Sequence, residues 1–167
     1  MSKGKHLDGL SEVVLKHFEK EVGKLAEDIG HILERETRDV LGKKGKDATG
    51  NLIQSVSHKA RKMAWGYMIT CFTNADYSVY VHDGTKPHWP PVDKIQKWVR
   101  IKKLAASYSE KGNRQGGTKR QHAEDRRVAW LIARKIARKG TKGIKFFDIA
   151  LKQAMPLIKD KLLEESK

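Results

Sequence analysis

The sequence lacks the features that disulfide-stabilised, zinc-finger and membrane-spanning proteins share. Its 167 residues include one cysteine, Cys71, so no intrachain disulfide can form and the C-x-x-C zinc patterns are absent. A lone cysteine in an apolar strand is typical of a small buried hydrophobic residue. The longest mostly apolar run, Met63 to Phe72, is far shorter than the roughly 20 residues of a membrane-spanning helix. The N-terminal residues lead into no signal-peptide core. We therefore expect synthesis in the cytoplasm and no membrane partner.

Motifs of nucleotide-binding and hydrolytic enzymes are also missing. There is no P-loop, no G-x-S-x-G, no H-E-x-x-H and no G-x-G-x-x-G after a strand. The densest set of candidate metal ligands is His82, Asp83 and His88, with His58 as a further candidate from a strand. The first three span a turn containing glycine and proline, which would not hold the fixed geometry that a metal centre needs. The sequence therefore predicts no catalytic residue, no metal and no cofactor; a metal-dependent nuclease built on these residues is the least favoured alternative.

The excess of basic residues is confined to the middle of the chain. The formal net charge is +15. Residues 1–41 carry 7 basic and 9 acidic side chains, residues 42–146 carry 24 and 7, and residues 147–167 carry 4 and 4. If gathered on one side, the basic residues would form a phosphate-binding face; the alternative is a solvated basic surface. The candidate contacts to DNA or to an acidic partner are Arg100, Lys102, Lys103, Arg114, Lys119, Arg120, Arg127, Arg134, Arg138 and Lys142.

Hydrophobic periodicity predicts a long helix over residues 1–41. The apolar residues recur three or four positions apart, which places them on one stripe: Leu7, Leu10, Val14, Phe18, Val22, Leu25, Ile29, Leu33 and Val40. Gly42 predicts the end of the helix. Such a length exceeds what a domain of this size needs across its core. Either part of the stripe packs on another subunit, or the helix lies along its own sheet.

The next segment, residues 47–85, is predicted to form a small antiparallel sheet and a corner. The run from Trp65 to Thr73 is rich in aromatic and β-branched residues, and both of its faces have apolar members. We expect a hairpin that the long helix covers on one face, with the other face partly exposed or in a subunit contact. The Thr49-Gly50-Asn51 turn would start the hairpin, and Tyr80 and Val81 would lead into a fixed Gly84-Thr85 corner.

Helices are predicted for the remainder of a single α+β domain, in which a long N-terminal helix packs on a small antiparallel sheet. Asp93 with Gln96 resembles a capping box at the start of a helix. Pro156 is expected to kink or restart the last helix. The predicted elements are a helix over 93–104, a mobile Gly-rich loop over 105–121, a helix over 122–139 that ends at Gly140, and a C-terminal helix over 146–165.

Five short sequence motifs, in their order along the chain, resemble those of the minor tail component and tail-completion proteins of long-tailed bacteriophages. They cover roughly residues 47–151. The motifs are Thr49-Gly50-Asn51-Leu52, a Tyr77 to Thr85 segment containing Tyr80-Val81 and Gly84-Thr85, the proline-rich approach to the helix that contains Trp98, the Ile132 to Lys142 helix end, and Phe146-Phe147 before the final helix.

This resemblance implies a structural, non-enzymatic virion protein of the neck or upper tail. Relatives are thought to form a ring, most often hexameric, that joins the head connector to the tail tube and lets DNA pass. The implied partners are further copies of the chain, neck or connector proteins, the tail tube or tail terminator, and the genomic DNA. The alternative is a protein that binds DNA nonspecifically through the basic middle segment.

Some residues of these motifs are candidates for subunit contacts. The corner could present Lys86 to Trp89 to a neighbouring subunit, because tryptophan is a frequent interface anchor. Alternatively, Trp89 caps the core of its own subunit. The candidate interface residues are Thr49, Gly50, Asn51, Leu52, Tyr80, Val81, Gly84, Thr85, Lys86 and Trp89.

Overall fold

The fold was analysed in a computed structural model that describes residues 4–44, 50–105 and 118–165, with only the backbone for residues 4–11 and 118. The predicted α+β class is confirmed. None of the described helices combines the length and apolar character that crossing a bilayer would need. The elements are α1 (Gly4–Lys44), α2 (Asn51–Gln54), β1 (Val56–Met63), β2 (Gly66–Thr73), α3 (Ser78–Asp83), β3 (Gly84–Thr85), α4 (Val92–Ile101), α5 (Thr118–Lys139), β4 (Thr141–Lys142) and α6 (Phe146–Glu164).

These elements form two compact units. The first unit contains α1, the β1–β2 hairpin and α6, and the second contains α3, β3, α4, α5 and β4. Each unit draws on more than one stretch of chain, so neither corresponds to a continuous segment. The single domain that the length suggests stays a prediction.

In the first unit, α1 packs on the hairpin as the sequence predicts. The two strands pair in antiparallel register from Val56 opposite Thr73 to Met63 opposite Gly66. Arg38 Nη2 donates a hydrogen bond to the carbonyl of Val56 at 2.9 Å, and Lys62 Nζ donates to Glu19 Oε2 at 2.7 Å. These contacts fix both ends of the hairpin to the helix.

Two glycines on α1 allow the sheet to approach the helix closely. Gly23 and Gly30 are seven residues apart and therefore share one helix face. A Cβ atom on Gly30 would overlap the imidazole of His58, and one on Gly23 would lie 2.9 Å from Tyr67 Oη. Each glycine thus provides the space for one large side chain of the hairpin.

The end of α1 differs from the prediction. The helix continues to Lys44, so Gly42 lies inside it instead of ending it. Val40 and Leu41 are buried just before this glycine. Most helical stability in proteins comes from such tertiary packing, which overrides the weak helix propensity of one glycine.

In the second unit, α4 and α5 pack side by side. Their core is Val99, Ala105 and Ala129, with partly buried hydrophobic residues around it. Arg100 Nε lies 3.3 Å from Oδ2 of the fully buried Asp125. The small alanines let the two helices approach closely, and the ion pair satisfies a carboxylate oxygen that burial would otherwise leave unpaired.

Both ends of α4 differ from the sequence prediction. The residue before the helix is Pro91, and no side chain caps its N-terminus, so the capping box of Asp93 and Gln96 is wrong. Gln96 is buried and donates instead to the His122 carbonyl at 3.1 Å. The helix ends at Ile101 rather than at residue 104, because Lys103 has a φ of 52° and cannot continue it.

The segment predicted as a loop over 105–121 is helical at its end. Its residues 106–117 lie outside the described residues. Helix α5 already begins at Thr118, and Gln121 is buried one turn before Asp125. The packing of these two side chains extends α5 four residues before the predicted start at 122.

The last helix is continuous. Pro156 lies inside α6, which is one element from Phe146 to Glu164, so the helix does not restart there and the kink stays a prediction. Pro156 removes the hydrogen bond that the carbonyl of Lys152 would accept. Both residues are exposed, so water can satisfy this carbonyl.

Candidate functional site

The predicted corner is held by a short antiparallel ladder between Gly84–Thr85 and Thr141–Lys142, which we call the crossing. Strands β3 and β4 pair antiparallel, with Gly84 opposite Lys142 and Thr85 opposite Thr141. The amide of Ile144 donates to the Val81 carbonyl at 3.1 Å, and the amide of Lys145 donates to the His82 carbonyl at 2.9 Å. These bonds fix the chain as it leaves α3. The corner is therefore present.

The conformation before the corner differs from the prediction. The sequence predicts Tyr80 and Val81 in a sheet-and-corner segment over 47–85, whereas both lie in the short helix α3. Their amides donate to the Tyr77 carbonyl at 3.1 and 3.2 Å. Local helical hydrogen bonds therefore override the strand preference of these aromatic and β-branched residues.

Glycine is required where the two strands cross. Gly84 has a φ of 86° and Gly140 a φ of 67°, which is the left-handed region that side chains disfavour. A Cβ atom on Gly84 would overlap the Thr141 carbonyl oxygen, and one on Gly140 would overlap the Thr85 carbonyl oxygen. Since the obstacles are backbone atoms, no side-chain adjustment could relieve either overlap.

The threonines after these glycines join the two strands. Thr85 Oγ1 and Thr141 Oγ1 lie 2.9 Å apart, and the Thr141 amide donates to Thr85 Oγ1 at 3.2 Å. Two Gly-Thr pairs that are 56 residues apart in the sequence thus meet in space. The Gly-Thr pair occurs in two of the five motifs because the two pairs form one antiparallel ladder.

An ion pair closes the end of the same crossing. Lys145 Nζ lies 2.5 Å from Asp83 Oδ1, and His82 Nδ1 lies 3.0 Å from the same oxygen. The hydrogen bond from Lys145, followed by that from His82, lowers the pKa of the Asp83 carboxyl below its ordinary value. This carboxylate therefore serves as a structural anchor for Lys145.

Beside the crossing lies a groove of about 1300 Å³. One wall is formed by the corner, from Tyr77 to His88. The base is apolar and comes from two helices, with Trp98 on α4 and Ile132 and Ile136 on α5. The groove brings together six of the predicted site residues: Tyr80, Val81, Gly84, Thr85, Lys86 and Lys142.

The charge of this groove has one sign. Among the described residues that line it, five are lysines and none is acidic. The five are Lys86, Lys94, Lys135, Lys139 and Lys142. An apolar base with a cationic rim can accept a partner that offers apolar side chains together with carboxylates or phosphates.

The other predicted interface residues do not line this groove. Thr49 lies outside the described residues. Gly50 has a φ of 81° and precedes α2, whose presence means that this turn leads into a helix before the hairpin begins. Asn51 is exposed, whereas Leu52 is fully buried, so its side chain packs inside the protein.

Trp89 lies at an aromatic surface on the second unit. It is 56% exposed, and its ring meets that of Trp130 edge to face with the centroids 6.4 Å apart. The guanidinium of Arg134 lies 5.5 Å from the centroid of Trp130. Trp89 is therefore too exposed to cap a core within this chain, and the interface role remains a prediction.

The predicted basic contacts are grouped only in part. Arg134 and Arg138 line a depression of about 330 Å³ on α5 together with Lys135 and Lys139. Arg120 and Arg127 extend this row by their seven-residue spacing.

The other predicted basic contacts lie elsewhere. Arg100 pairs with Asp125, and Arg114 lies outside the described residues. Lys102 and Lys103 follow α4, Lys119 is in the first turn of α5, and Lys142 is in β4.

The residues of the nuclease alternative have other partners. Asp83 binds Lys145 and His82, and His88 Nδ1 donates to the Lys86 carbonyl at 2.9 Å. Within the part of the chain that the structure describes, the side chains that converge closely enough to share a metal ion are His31, Glu34 and His58. Of these three residues, only His58 is a candidate from the sequence. The signal for the others was the one-turn spacing of His31 and Glu34 on a helix.

Comparisons of the chain with protein families, with curated proteins and with solved structures found no match.

Proposed function

We propose that this protein is a structural subunit of a bacteriophage virion, a tail-completion or neck component that forms a homo-oligomeric ring between the head connector and the tail tube. Its partners are further copies of itself, the adjoining neck and tail proteins, and the DNA that passes through the ring. The motif resemblance suggests this role, and the exposed apolar surface of the isolated chain supports it.

The amount of exposed apolar surface carries the proposal. Nineteen large hydrophobic side chains of the described residues are more than one-third exposed, whereas the twelve buried hydrophobic residues include six alanines. Single exposed apolar residues are ordinary, but contiguous patches mark interaction surfaces. A subunit that completes its core in an assembly explains this balance.

The N-terminal part of α1 is the clearest such surface. Among the described side chains of α1, hydrogen bonds to the hairpin begin at Glu19, and residues 4–18 before it span about 22 Å at 1.5 Å per residue. Val13, Val14, Leu15 and Phe18 are each more than 60% exposed there. This is the arrangement expected when part of a long helix packs on a neighbouring subunit.

A second apolar row lies on α6. Leu151, Met155 and Leu162 share one helix face, and each is between 44% and 51% exposed. Separate apolar surfaces allow a subunit to contact two neighbours, which a closed ring with head-to-tail contacts requires.

Nonspecific DNA binding is the second candidate, and the arginine row on α5 supports it. Arg127, Arg134 and Arg138 lie on one exposed helix face. A DNA-binding role predicts affinity that falls steeply with salt and a smaller salt slope in Arg134→Ala. Affinity that is independent of salt would exclude it.

Electron microscopy of phage lysates tests the assembly role. The phage copy of this gene is interrupted, and the lysate is viewed with and without added purified protein. Separate filled heads and tails that join on addition of the protein would support the proposal. Normally joined, infectious particles without the protein would refute it.

A further inference from the structure

Three side chains of the first unit converge where α1 crosses β1. His31 and Glu34 lie one turn apart on the helix, and His58 reaches them from the strand. The nitrogen and oxygen atoms that these residues offer all lie within 4.8 Å of one another. We propose that His31, Glu34 and His58 form a binding site for a divalent transition-metal ion, with Zn²⁺ as the preferred ion.

The chemistry of the three ligands selects the kind of ion. Imidazole nitrogens bind Zn²⁺ and its neighbours in the first transition row, whereas Mg²⁺ and Ca²⁺ prefer sites made of oxygen alone. Two histidines and one carboxylate are a known donor set for Zn²⁺, and they leave a fourth position for water or a further ligand.

The oxygens of Glu34 are divided between two tasks. Oε1 accepts a hydrogen bond from Arg38 Nη2 at 2.6 Å, while Oε2 lies 2.5 Å from His58 Nδ1. Arg38 therefore orients the carboxylate from behind and leaves Oε2 directed at the other two ligands. A ligand held in this way binds a metal without first being ordered.

The other nitrogen of His58 also has a carboxylate partner. His58 Nε2 lies 3.2 Å from Glu27 Oε2, one helical turn before His31 on α1. With the metal on Nδ1, the Nε2–H group would donate to Glu27. A metal-binding histidine usually donates its second ring proton to such a carboxylate, which fixes the tautomer and the ring. Glu27 is thus a positioning residue.

The distances require only a small adjustment. Zn²⁺ binds nitrogen and carboxylate oxygen at about 2.0–2.2 Å, so the ligands of one tetrahedral ion lie about 3.4 Å apart. The His31 and His58 rings already meet edge to face, with their centroids 4.3 Å apart. His31 is exposed and can rotate toward the other two ligands, whereas packing and Arg38 orient His58 and Glu34. The 2.5 Å separation of His58 Nδ1 and Glu34 Oε2 has to widen by about 0.9 Å to admit the ion between these two atoms.

A simpler arrangement would be a protonated His58 that binds both carboxylates. In that case Glu27 and Glu34 are hydrogen-bond partners only, and His31 has no part in the cluster beyond its ring contact. The two arrangements differ in what His31 does, so a variant of this residue separates them.

Isothermal titration of the untagged, chelator-treated full chain with ZnCl₂ tests the site, with MgCl₂ as a second titrant. Saturable binding of one Zn²⁺ per chain is expected, together with no binding of Mg²⁺ and a thermal midpoint that rises with Zn²⁺. His31→Ala is expected to abolish this binding. His17→Ala, which removes another exposed histidine of the same helix, is expected to leave it unchanged.

Glu27→Gln adds a graded test, since loss of such an outer-shell partner lowers metal affinity about 10- to 100-fold. Circular dichroism of each variant establishes that it is folded. The proposal is overturned if the folded wild-type chain shows no saturable site, or if His31→Ala binds Zn²⁺ as tightly as the wild-type chain.

Discussion

At the scale of single residues, glycine has opposite effects at two positions of this chain. Gly84 has a positive φ, and a Cβ atom there would overlap backbone atoms of the facing strand. Gly42 lies in α1, and a Cβ atom there would meet open space. An alanine at the first position would meet backbone that cannot move. At the second it would only improve helix propensity.

Gly84→Ala is therefore expected to lower the free energy of unfolding by at least about 1 kcal/mol, because it combines strain and overlap. Gly42→Ala is expected to raise it by about 0.5–1 kcal/mol. Urea denaturation followed by circular dichroism measures both. Equal effects of the two substitutions would contradict the tight crossing of β3 and β4.

The Asp83–Lys145 pair predicts a dependence on pH. Because the folded state lowers the pKa of Asp83, this carboxylate stabilises the fold at pH values above its ordinary pKa and loses that effect as the pH falls below about 4. Asp83→Asn should lower the thermal midpoint at pH 7, and this deficit should shrink as the pH falls toward 3. The pair is exposed, so we expect a small shift.

Lys145→Gln removes the partner of the same ion pair and is expected to show the same dependence. Calorimetry at a series of pH values measures all three proteins. A deficit of Asp83→Asn that is the same at pH 3 and pH 7 would show that the charge of Asp83 has no part in the stability of the crossing.

The reactivity of Cys71 follows from its position in the sheet. Burial, opposed by the hydrogen bond with Thr37, raises the pKa of the Cys71 thiol. Because the thiolate is the reactive form, labelling by a thiol reagent at pH 7 should be slower in the folded protein than in urea. Equal rates, measured by absorbance, would place Cys71 at the surface.

At the scale of elements, the start of α6 is a point of concentrated burial. Phe146 is fully buried, and its ring lies 4.5 Å from that of Phe147. Phe146→Ala is expected to lower the free energy of unfolding by about 3–5 kcal/mol, since it leaves a cavity. Lys152→Ala, at an exposed site of the same helix, should change it by about 0.5 kcal/mol or less. A similar effect of both substitutions in urea denaturation would contradict the packing.

The long elements were predictable because their sequence signals extend over many residues. The stripe of α1 contains enough apolar positions to identify a helix, and the aromatic and β-branched residues of the β2 segment are numerous enough to indicate a strand. The ends were less predictable, because they depend on contacts far away in the sequence. Gln96, for example, has the right spacing for a cap, but its amide is used by the His122 carbonyl on α5.

Short elements escaped prediction for a related reason. Helix α3 has six residues, and β3 and β4 have two each. Helix α3 contains fewer than two helical periods, and each of the two strands contains a single period of two residues, which is too little to establish a pattern. Their conformations depend on the pairing of Gly84 and Thr85 with Thr141 and Lys142, and a single sequence does not reveal which distant Gly-Thr pair will meet which.

At the scale of the whole molecule, the candidate sites were only partly visible in the sequence. Some residues of the motifs that resemble the phage proteins, such as Gly84-Thr85, line the groove. Its apolar base, however, comes from residues whose sequence pattern is that of an ordinary hydrophobic core. The cluster at His31 was missed because His58 is 24 residues from Glu34. Gly30, which makes room for the His58 ring, gives no signal of its own in a helix.

Self-assembly is the central claim at this scale, and one substitution addresses it. Phe18 is 64% exposed on the part of α1 that precedes Glu19. Phe18→Asp should weaken subunit association without changing the helical circular dichroism, because the side chain contributes little to the fold of the chain itself. His17→Asp introduces the same residue at the adjacent exposed position as a control.

The most direct measurement is the molecular mass in solution, by light scattering after gel filtration. The wild-type protein and His17→Asp are predicted to have a mass several times that of the 19.0 kDa chain, and Phe18→Asp a mass close to 19.0 kDa. A wild-type protein that remains at 19.0 kDa at every concentration, with the same mass for Phe18→Asp, would contradict the account.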